Sequence, residues 1–325
     1  MDVGVLVIGL GQIGMGYDLT LDADAYVYSH CRAFYLHAAF RLLGAVDPDE
    51  AKRVLFEGAY QQCAYHDVEA ALDILAPELI VIAVPTIDHL TTLKTILNKT
   101  NPKVILCEKP LSYDLGEAAC MVEMCQHRGV QLFVNYIRRS DPGVIDIKRK
   151  LDAGIMHRPM KGVVWYTKGF MHNGSHFFNL LEYWLGEMRD FHLISLGSAL
   201  DHDDYEVDVK VSFEHGEILF SNLKAEHYVH YTIELFASNG MLRYEKAGYH
   251  ITWQPVIADP ILKGSYSITQ KAELLDAEMH RFQYNVADQI ALVFRQKDHF
   301  LSDGEDALRT IKSLSAILGS IRNNE

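Results

Sequence analysis

The chain has 325 residues, of which 49% are apolar and 22% charged, enough for two domains with cores of their own and unlike either a short peptide module or a disordered chain. Its 30 basic and 43 acidic residues leave a formal charge of −13. That sign repels phosphate backbones and anionic lipid, so neither nucleic acid nor a membrane is an expected partner.

No apolar run approaches the roughly 18 to 20 residues of a membrane span. The amino terminus, Met1-Asp2, carries no basic stretch, and Val3–Ile8 reads as a first strand rather than a signal sequence, so a cytoplasmic protein is expected. Cys31, Cys63, Cys107, Cys120 and Cys125 are odd in number and form no C-x-x-C, which fits reduced thiols.

In chain order, Val3–Ile8, 41–46, 79–84, Val104–Cys107 and Gln131–Val134 are short β-rich runs separated by helical stretches. That order predicts a doubly wound parallel sheet with crossover helices. Beyond about Ile137 the pattern changes: residues 206–213 alternate polar and apolar side chains, as in a strand with one wet face. His215-Gly216 and Asn239-Gly240 read as hairpin turns, which predicts a largely antiparallel sheet over about 161–253. Ser302 and Glu305 form a capping-box pattern ahead of Ala307, Ile311, Leu314, Ile317, Leu318 and Ile321, which recur at helical spacing. The expected architecture is an α/β domain over 1–136 and an α+β domain over 137–325, without internal repeats.

Gly9, Gly11 and Gly14 form G-x-G-x-x-G directly after the first strand, with Gln12 and Ile13 between the last two glycines. Glycines there allow a tight turn and let backbone N–H groups approach a pyrophosphate. The second strand ends at Asp47, whose carboxylate suits the hydroxyls of an adenosine ribose and repels a 2′-phosphate. No arginine follows it immediately, so NAD is expected and NADP less so. Gly14 and Asp47 are 33 positions apart where about 20 is usual. The surplus falls in the acidic, tyrosine-bearing stretch 17–28, read as an inserted surface loop in preference to a lid.

Ligands of open α/β sheets bind beyond the carboxyl ends of the strands, where this chain places Pro85, Thr86 and His89, then Glu108-Lys109-Pro110, then Asn135 through Arg139. Lys109 is placed to hydrogen-bond a substrate hydroxyl and stabilise a developing alkoxide. These segments, with Val46-Asp47-Pro48-Asp49, resemble the glucose-fructose oxidoreductase, inositol dehydrogenase and rhizopine catabolism (Gfo/Idh/MocA) family of NAD(P)-dependent sugar oxidoreductases. The resemblance covers nearly the whole chain. It implies an amino-terminal Rossmann domain, a second domain with a large, mainly antiparallel open sheet used for homodimer or homotetramer contacts, and a substrate cleft between them. Cofactor contacts are then expected from Gly9, Gly11, Gln12, Ile13, Gly14, Asp47, Pro85, Thr86, His89, Glu108 and Lys109, the last beside the nicotinamide.

The family's second site is a helix start with an aspartate four positions before a histidine and another three after it. His176 matches the histidine and is the expected proton acceptor, while His172 and Asn179 replace the aspartates. Asn135, Arg138, His172, Asn173, His176 and Asn179 are the expected substrate contacts. With two negative charges gone and Arg138 and Arg139 nearby, a phosphorylated or nucleotide-linked sugar or a sugar acid would suit the site. His172 and His176 stand four apart as a metal pair could, but no third ligand follows at a recognisable spacing, so no metal is expected. The implied activity is hydride transfer between NAD and a secondary alcohol of a sugar or cyclitol. Transient redox in a lyase or glycosidase, or regulation without catalysis, are the alternatives.

Overall fold

The computed structural model describes residues 2–201 and 204–322. In chain order its elements begin β1 (Val3–Ile8), α1 (His30–Leu36), β2 (Phe40–Val46), α2 (Glu50–Tyr60), β3 (Ala64–Tyr65), α3 (Val68–Leu72), β4 (Leu79–Ile82), α4 (His89–Lys99), β5 (Val104–Cys107), α5 (Leu115–Arg128) and β6 (Gln131–Val134). They continue with α6 (Pro142–Asp152), β7 (Met160–Tyr166), α7 (Ser175–Leu185), β8 (Met188–Ala199), β9 (Tyr205–Phe213), β10 (Gly216–Asn222), β11 (Thr232–Ala237), β12 (Gly240–Glu245) and β13 (His250–Ala258). The last are β14 (Tyr266–Ile268), β15 (Glu273–Leu275), α8 (Phe282–Phe294), β16 (Ser302–Asp303) and α9 (Gly304–Arg322).

These elements form two compact units, one of residues 1–140 with 280–309 and one of 141–279 with 310–325. The boundary expected at 136/137 is therefore corrected in two ways: the first crossing falls after Ser140, and the chain later returns. Its cause is packing between distant residues. Val286, Ala287 and Ile290 of α8 join Val5, Val7, Phe34, Phe40 and Leu106 in the first unit's core, and β16 pairs antiparallel with β6.

Among the described residues, the first unit's sheet has the order β16-β6-β5-β4-β1-β2-β3, parallel except for β16. The chain moves outward from β1 to β3 and then restarts at β4 on the other side of β1. This reversal leaves a crevice at the carboxyl ends of β1 and β4, the binding place of such sheets. Strands β1, β4 and β5 are buried throughout, which explains their unbroken apolar sequences.

The long spacer after the glycine motif has a simple geometry. The N–H of Met15 donates to the Gly11 carbonyl and that of Tyr17 to Gln12, so a helical turn starts as the motif ends. The chain then leaves, and α1 resumes with the N–H groups of His30 and Cys31 on the carbonyls of Ile13 and Gly14, at 3.0 and 2.9 Å. In an uninterrupted helix residues 17 and 18 would take those places. Thirteen residues, 17–29, are thus inserted within the first crossover helix, and removing them returns the glycine-to-aspartate spacing to about 20.

The insertion is not a loose surface loop. Asp18 is fully buried and accepts from the N–H groups of Tyr28 (2.6 Å) and Ser29 (2.8 Å) and from the Ser29 hydroxyl (2.6 Å). Arg32 lies 3.7 Å from the same carboxylate and donates to the Leu21 and Tyr26 carbonyls. Asp18→Ala should cost about 3 kcal/mol, because it orphans several buried donors and a guanidinium together. The midpoint of denaturant unfolding, together with protease cleavage within 17–29, measures it.

In the second unit the sheet order is β14-β13-β12-β11-β7-β10-β9-β8, with β15 also on β13. Its pairs are antiparallel apart from β7 with β10. Val207, Val209, Val211 and Phe213 are buried, as the alternation predicts. The two hairpins are shifted by one residue from expectation. Phe213 pairs with Gly216 and Ala237 with Gly240, so Glu214-His215 and Ser238-Asn239 are the loops and each glycine opens the next strand. The cap of α9 is shifted likewise: Asp303, not Ser302, accepts from the Asp306 N–H at 2.8 Å, because Ser302 is already paired with Val134 in the sheet.

Candidate active site

At the end of β1 the three glycines serve different needs. Gly9 has φ +101°, and a Cβ there would run into the Ala83 carbonyl; a Cβ on Gly14 would run into the carbonyl of Gly9. Around Gly11 a Cβ would meet no protein atom within 4 Å. The first and third glycines let the loop fold on itself, and the second leaves open space where a phosphate needs backbone contact. Gln12 is exposed and Ile13 packs on the core beneath the loop.

Asp47, at the end of β2, is only 4% exposed. Its carboxylate accepts from the N–H groups of Leu10 at 2.8 Å and Asp49 at 2.9 Å, tying β2 to the glycine loop. Two cations that the sequence reading did not use also gather here. Lys52 Nζ is 3.6 Å from the carboxylate, and Arg53 donates to the Asp47 and Pro48 carbonyls.

Pro85 and Thr86 begin a 3-10 turn after β4 that leads into α4 at His89. The His89 ring is fully buried, with one nitrogen 3.1 Å from the Leu111 carbonyl and the other 3.1 Å from that of Val84. Burial pushes its pKa below the ordinary histidine value. This ring braces the segments after β4 and β5 against each other.

Glu108 and Lys109 follow β5. Glu108 Oε1 lies 2.8 Å from His30 Nε2 and accepts from Asn135 Nδ2 at 2.6 Å. Burial pushes the Glu108 carboxyl up, but the His30 and Asn135 contacts and the nearby Lys109 charge outweigh it, and the group sits below the usual glutamate range. Asn135 also donates to Gln283 Oε1 at 3.3 Å. The Asn135 amide nitrogen thus serves the carboxylate and α8, while its Oδ1 is buried without a hydrogen-bond partner among the described residues. Arg138 is buried, and Arg139 pairs with Asp306 at 2.7 Å and with the Phe300 carbonyl. The charge argument for an anionic substrate loses Arg139, which is already neutralised.

In the second unit a π-helical turn, Gly169–Gly174, runs into α7. His172 lies in that turn and is exposed, while His176, in the first turn of α7, is partly buried. Asp204 holds the turn: only 3% exposed, it accepts from the N–H groups of Met171 at 2.7 Å and His172 at 2.9 Å. Burial raises its carboxyl above the usual aspartate range. No local spacing marks Asp204, which arrives from the start of β9. Asn173 donates to the Thr167 carbonyl and to the Tyr231 hydroxyl, and Tyr231 stacks on Phe177 with centroids 5.3 Å apart.

Asn179 is 1% exposed and donates to the Thr310 hydroxyl at 3.1 Å, which itself donates to Glu182 at 2.5 Å. Its place is the contact of α7 with α9. Tyr166 and Trp184 lie in the core, where they bond the Val207 and Val144 carbonyls. The sequence reading missed His30, Asp204 and Gln283, all of which act through contacts remote in sequence. Among the described residues, no helix is long and apolar enough to cross a membrane, and the five cysteines are free thiols.

A family profile described as "Oxidoreductase family, NAD-binding Rossmann fold" (GFO_IDH_MocA) matches residues 3–136. The scyllo-inositol 2-dehydrogenase (NAD(+)) of Bacillus subtilis is 36% identical over 93 residues, 29% of this chain and 25% of that protein. Inositol 2-dehydrogenase 1 of Saccharopolyspora erythraea is 27% identical over 163 residues, 49% of this chain and 44% of its own. The matches thus span less than half the length of these curated relatives. The crystal structure of the WlbA dehydrogenase from Bordetella pertussis, in complex with NADH and UDP-GlcNAcA, superposes with a TM-score of 0.77 over 100% of this chain and 96% of that one, at 16% identity. That likeness concerns the fold. With the glycine loop, Asp47 and Glu108-Lys109 at the strand ends, residues 3–136 match the Gfo/Idh/MocA oxidoreductase family model and form an NAD-binding Rossmann domain.

Proposed function

We propose that the protein is an NAD-dependent oxidoreductase acting on a secondary alcohol of a cyclitol or sugar, nucleotide-linked sugars included. The observation that carries this reading is Lys109, a cation at the carboxyl end of β5, in the same unit as a glycine loop whose open space at Gly11 fits a dinucleotide. The inositol dehydrogenase names of the curated relatives support the substrate class. Bound NAD supplies the hydride acceptor. Lys109 holds the oxygen of the reacting carbinol by a charge-assisted hydrogen bond, and His176 accepts its proton. Asn173 and His172 serve the substrate, while Asn179 holds the α7 helix that carries His176. Pro85 and Thr86 border the cofactor, and His89 shapes that border from behind.

NADH is proposed over NADPH because the Asp47 carboxylate stands at the end of β2 beside the glycine loop, where its negative charge would repel a 2′-phosphate. Fluorescence titration of the nucleotide-free protein should give tighter binding of NADH than of NADPH, and Asp47→Ala should narrow the gap by about tenfold, leaving Lys52 free for a 2′-phosphate. Equal affinities in the parent protein would sink the preference. Absence of binding to either nucleotide would sink the redox reading. Exposed Trp165 and Phe236 on the open face of the second unit's sheet support self-association, which sedimentation velocity measures.

A further inference from the structure

The turn that leads into α7 is held by an acceptor that its own segment does not supply. The N–H groups at the start of a helix have no partner within it, and the residue just ahead commonly offers a side-chain oxygen. Here Lys168 precedes the π-helical turn Gly169–Gly174 and Gly174 precedes α7, and neither makes a side-chain capping bond. The oxygens come instead from Asp204, 32 positions beyond His172, in the connection between β8 and β9. Its Oδ1 accepts from the N–H of Met171 at 2.7 Å and of Tyr205 at 2.8 Å, and its Oδ2 accepts from that of His172 at 2.9 Å. The connection itself is closed by the Leu200 N–H, which donates to the Asp204 carbonyl at 2.7 Å.

The turn is shaped to admit this carboxylate. Gly169 has φ +82°, and a Cβ there would run into Asp204 Oδ2. Lys168, just before it, also has a positive φ, of 65°. Such a conformation is strained for a residue with a side chain and persists only where the surroundings over-determine it. The hold then passes on to α7. The Ser175 hydroxyl donates to the His172 carbonyl at 3.2 Å, and the next residue is His176. His172, Asn173 and His176 thus all follow directly on the peptide groups that Asp204 binds.

Resting on the reading that His176 accepts the substrate proton, we propose that Asp204 is a positioning residue for that histidine: it caps the turn from a remote part of the chain and fixes where α7 presents His176. Asp204 need not touch substrate or cofactor. A proton acceptor must lie within hydrogen-bond reach of the reacting hydroxyl, so a displacement of about 1 Å at the start of α7 lowers the rate more than it weakens binding. The placement of His176 thereby depends on the β8–β9 hairpin, which no motif around the histidine includes.

The test uses the full chain with isotope-labelled histidine, free of nucleotide and at mildly alkaline pH. There the exposed imidazoles are neutral, and a shifted resonance reports surroundings rather than protonation. The His176 signal is identified by its loss in His176→Gln. Asp204→Asn keeps the size of the side chain but sets an amide NH2 against one of the peptide donors. It should move or broaden the His176 resonance, leave that of the exposed His127 on α5 unchanged, and speed hydrogen exchange at the Met171 and His172 amides by about tenfold or more. Gly169→Ala alters no charge but pushes a methyl against the carboxylate, and should displace the His176 signal likewise. If either variant fails to fold, as judged by circular dichroism, the other decides alone. With a reactive alcohol in hand, Asp204→Asn should lower kcat by about tenfold or more and leave KM within about threefold. A His176 resonance unchanged in a folded variant, or an unchanged kcat, would overturn the proposal. A parent protein that oxidises no alcohol, together with the expected histidine shift, would remove the redox reading and leave Asp204 as the residue that sets the turn.

Discussion

Lys109→Ala is expected to lower the single-turnover rate of nicotinamide reduction by about 10² to 10³-fold, while NADH affinity stays within about threefold. The substrate is the best alcohol found in a screen of inositols, sugars and nucleotide sugars. Lys109 sits at the carboxyl end of β5, beside a carboxylate held by His30 and Asn135, the latter tied in turn to Gln283. A donor fixed in that way is oriented before the reaction, so its hydrogen bond strengthens as negative charge grows on the substrate oxygen and costs no reorganisation then. Removing it should therefore reduce the rate more than the binding of either ligand. Lys109→Arg should rescue poorly, since a planar guanidinium does not place a point charge where an ammonium does. A rate unchanged in Lys109→Ala would remove this residue from the mechanism. An equal loss in NADH binding would instead move Lys109 into the cofactor site.

Gly11→Ala should weaken NADH binding by about tenfold or more and leave the unfolding midpoint where it was. The reasoning is steric. A methyl group at Gly11 meets no protein atom within 4 Å, so the folded chain has no cause to object, but the same methyl occupies the space in which a pyrophosphate would approach the backbone. Gly14→Ala supplies the contrast. There the methyl collides with the Gly9 carbonyl, backbone that has nowhere to yield, so stability and binding should fall together. Calorimetric melting beside the NADH titration separates the two kinds of loss. Full NADH affinity in Gly11→Ala would mean that the phosphates lie elsewhere.

Several features of this molecule could be read from short stretches of chain. Strands β1, β5 and β6 lie at the residues their composition indicated, because a strand buried on both faces needs an unbroken apolar run. The closing helix α9 was legible for a similar reason: Ala307, Ile311, Leu314, Ile317, Leu318 and Ile321 are all buried, and their spacing alone defines a helical stripe. The extent of the insertion was nearly legible as well, since the excess over the usual glycine-to-aspartate spacing is a count. Its packing was not. The stretch looked acidic and solvated, yet one of its aspartates, Asp18, is fully buried and organises the rest.

The site followed the same division. The glycine loop carries its meaning in type and position, whereas Asn135, His89, Arg139 and Asn179 were expected near ligands and have nitrogens engaged by other parts of the protein. Local sequence cannot indicate whether a polar side chain at a strand end faces a cleft or a neighbour, because that depends on which distant segment packs against it. His30, Gln283 and Asp204 were missed for the converse reason: each meets its partner across a long separation in the chain, and none belongs to a motif.

The sequence by itself determined the parallel sheet, the nucleotide loop, the alternation of the second sheet and the last helix, since each rests on backbone geometry and side-chain periodicity within a few turns. Only the tertiary structure decided that α8 and β16 return to the first unit, that thirteen inserted residues are anchored by a buried aspartate, and that His30 and Asn135 share Glu108. Those outcomes depend on burial and on hydrogen bonds between residues brought together only when the chain has folded.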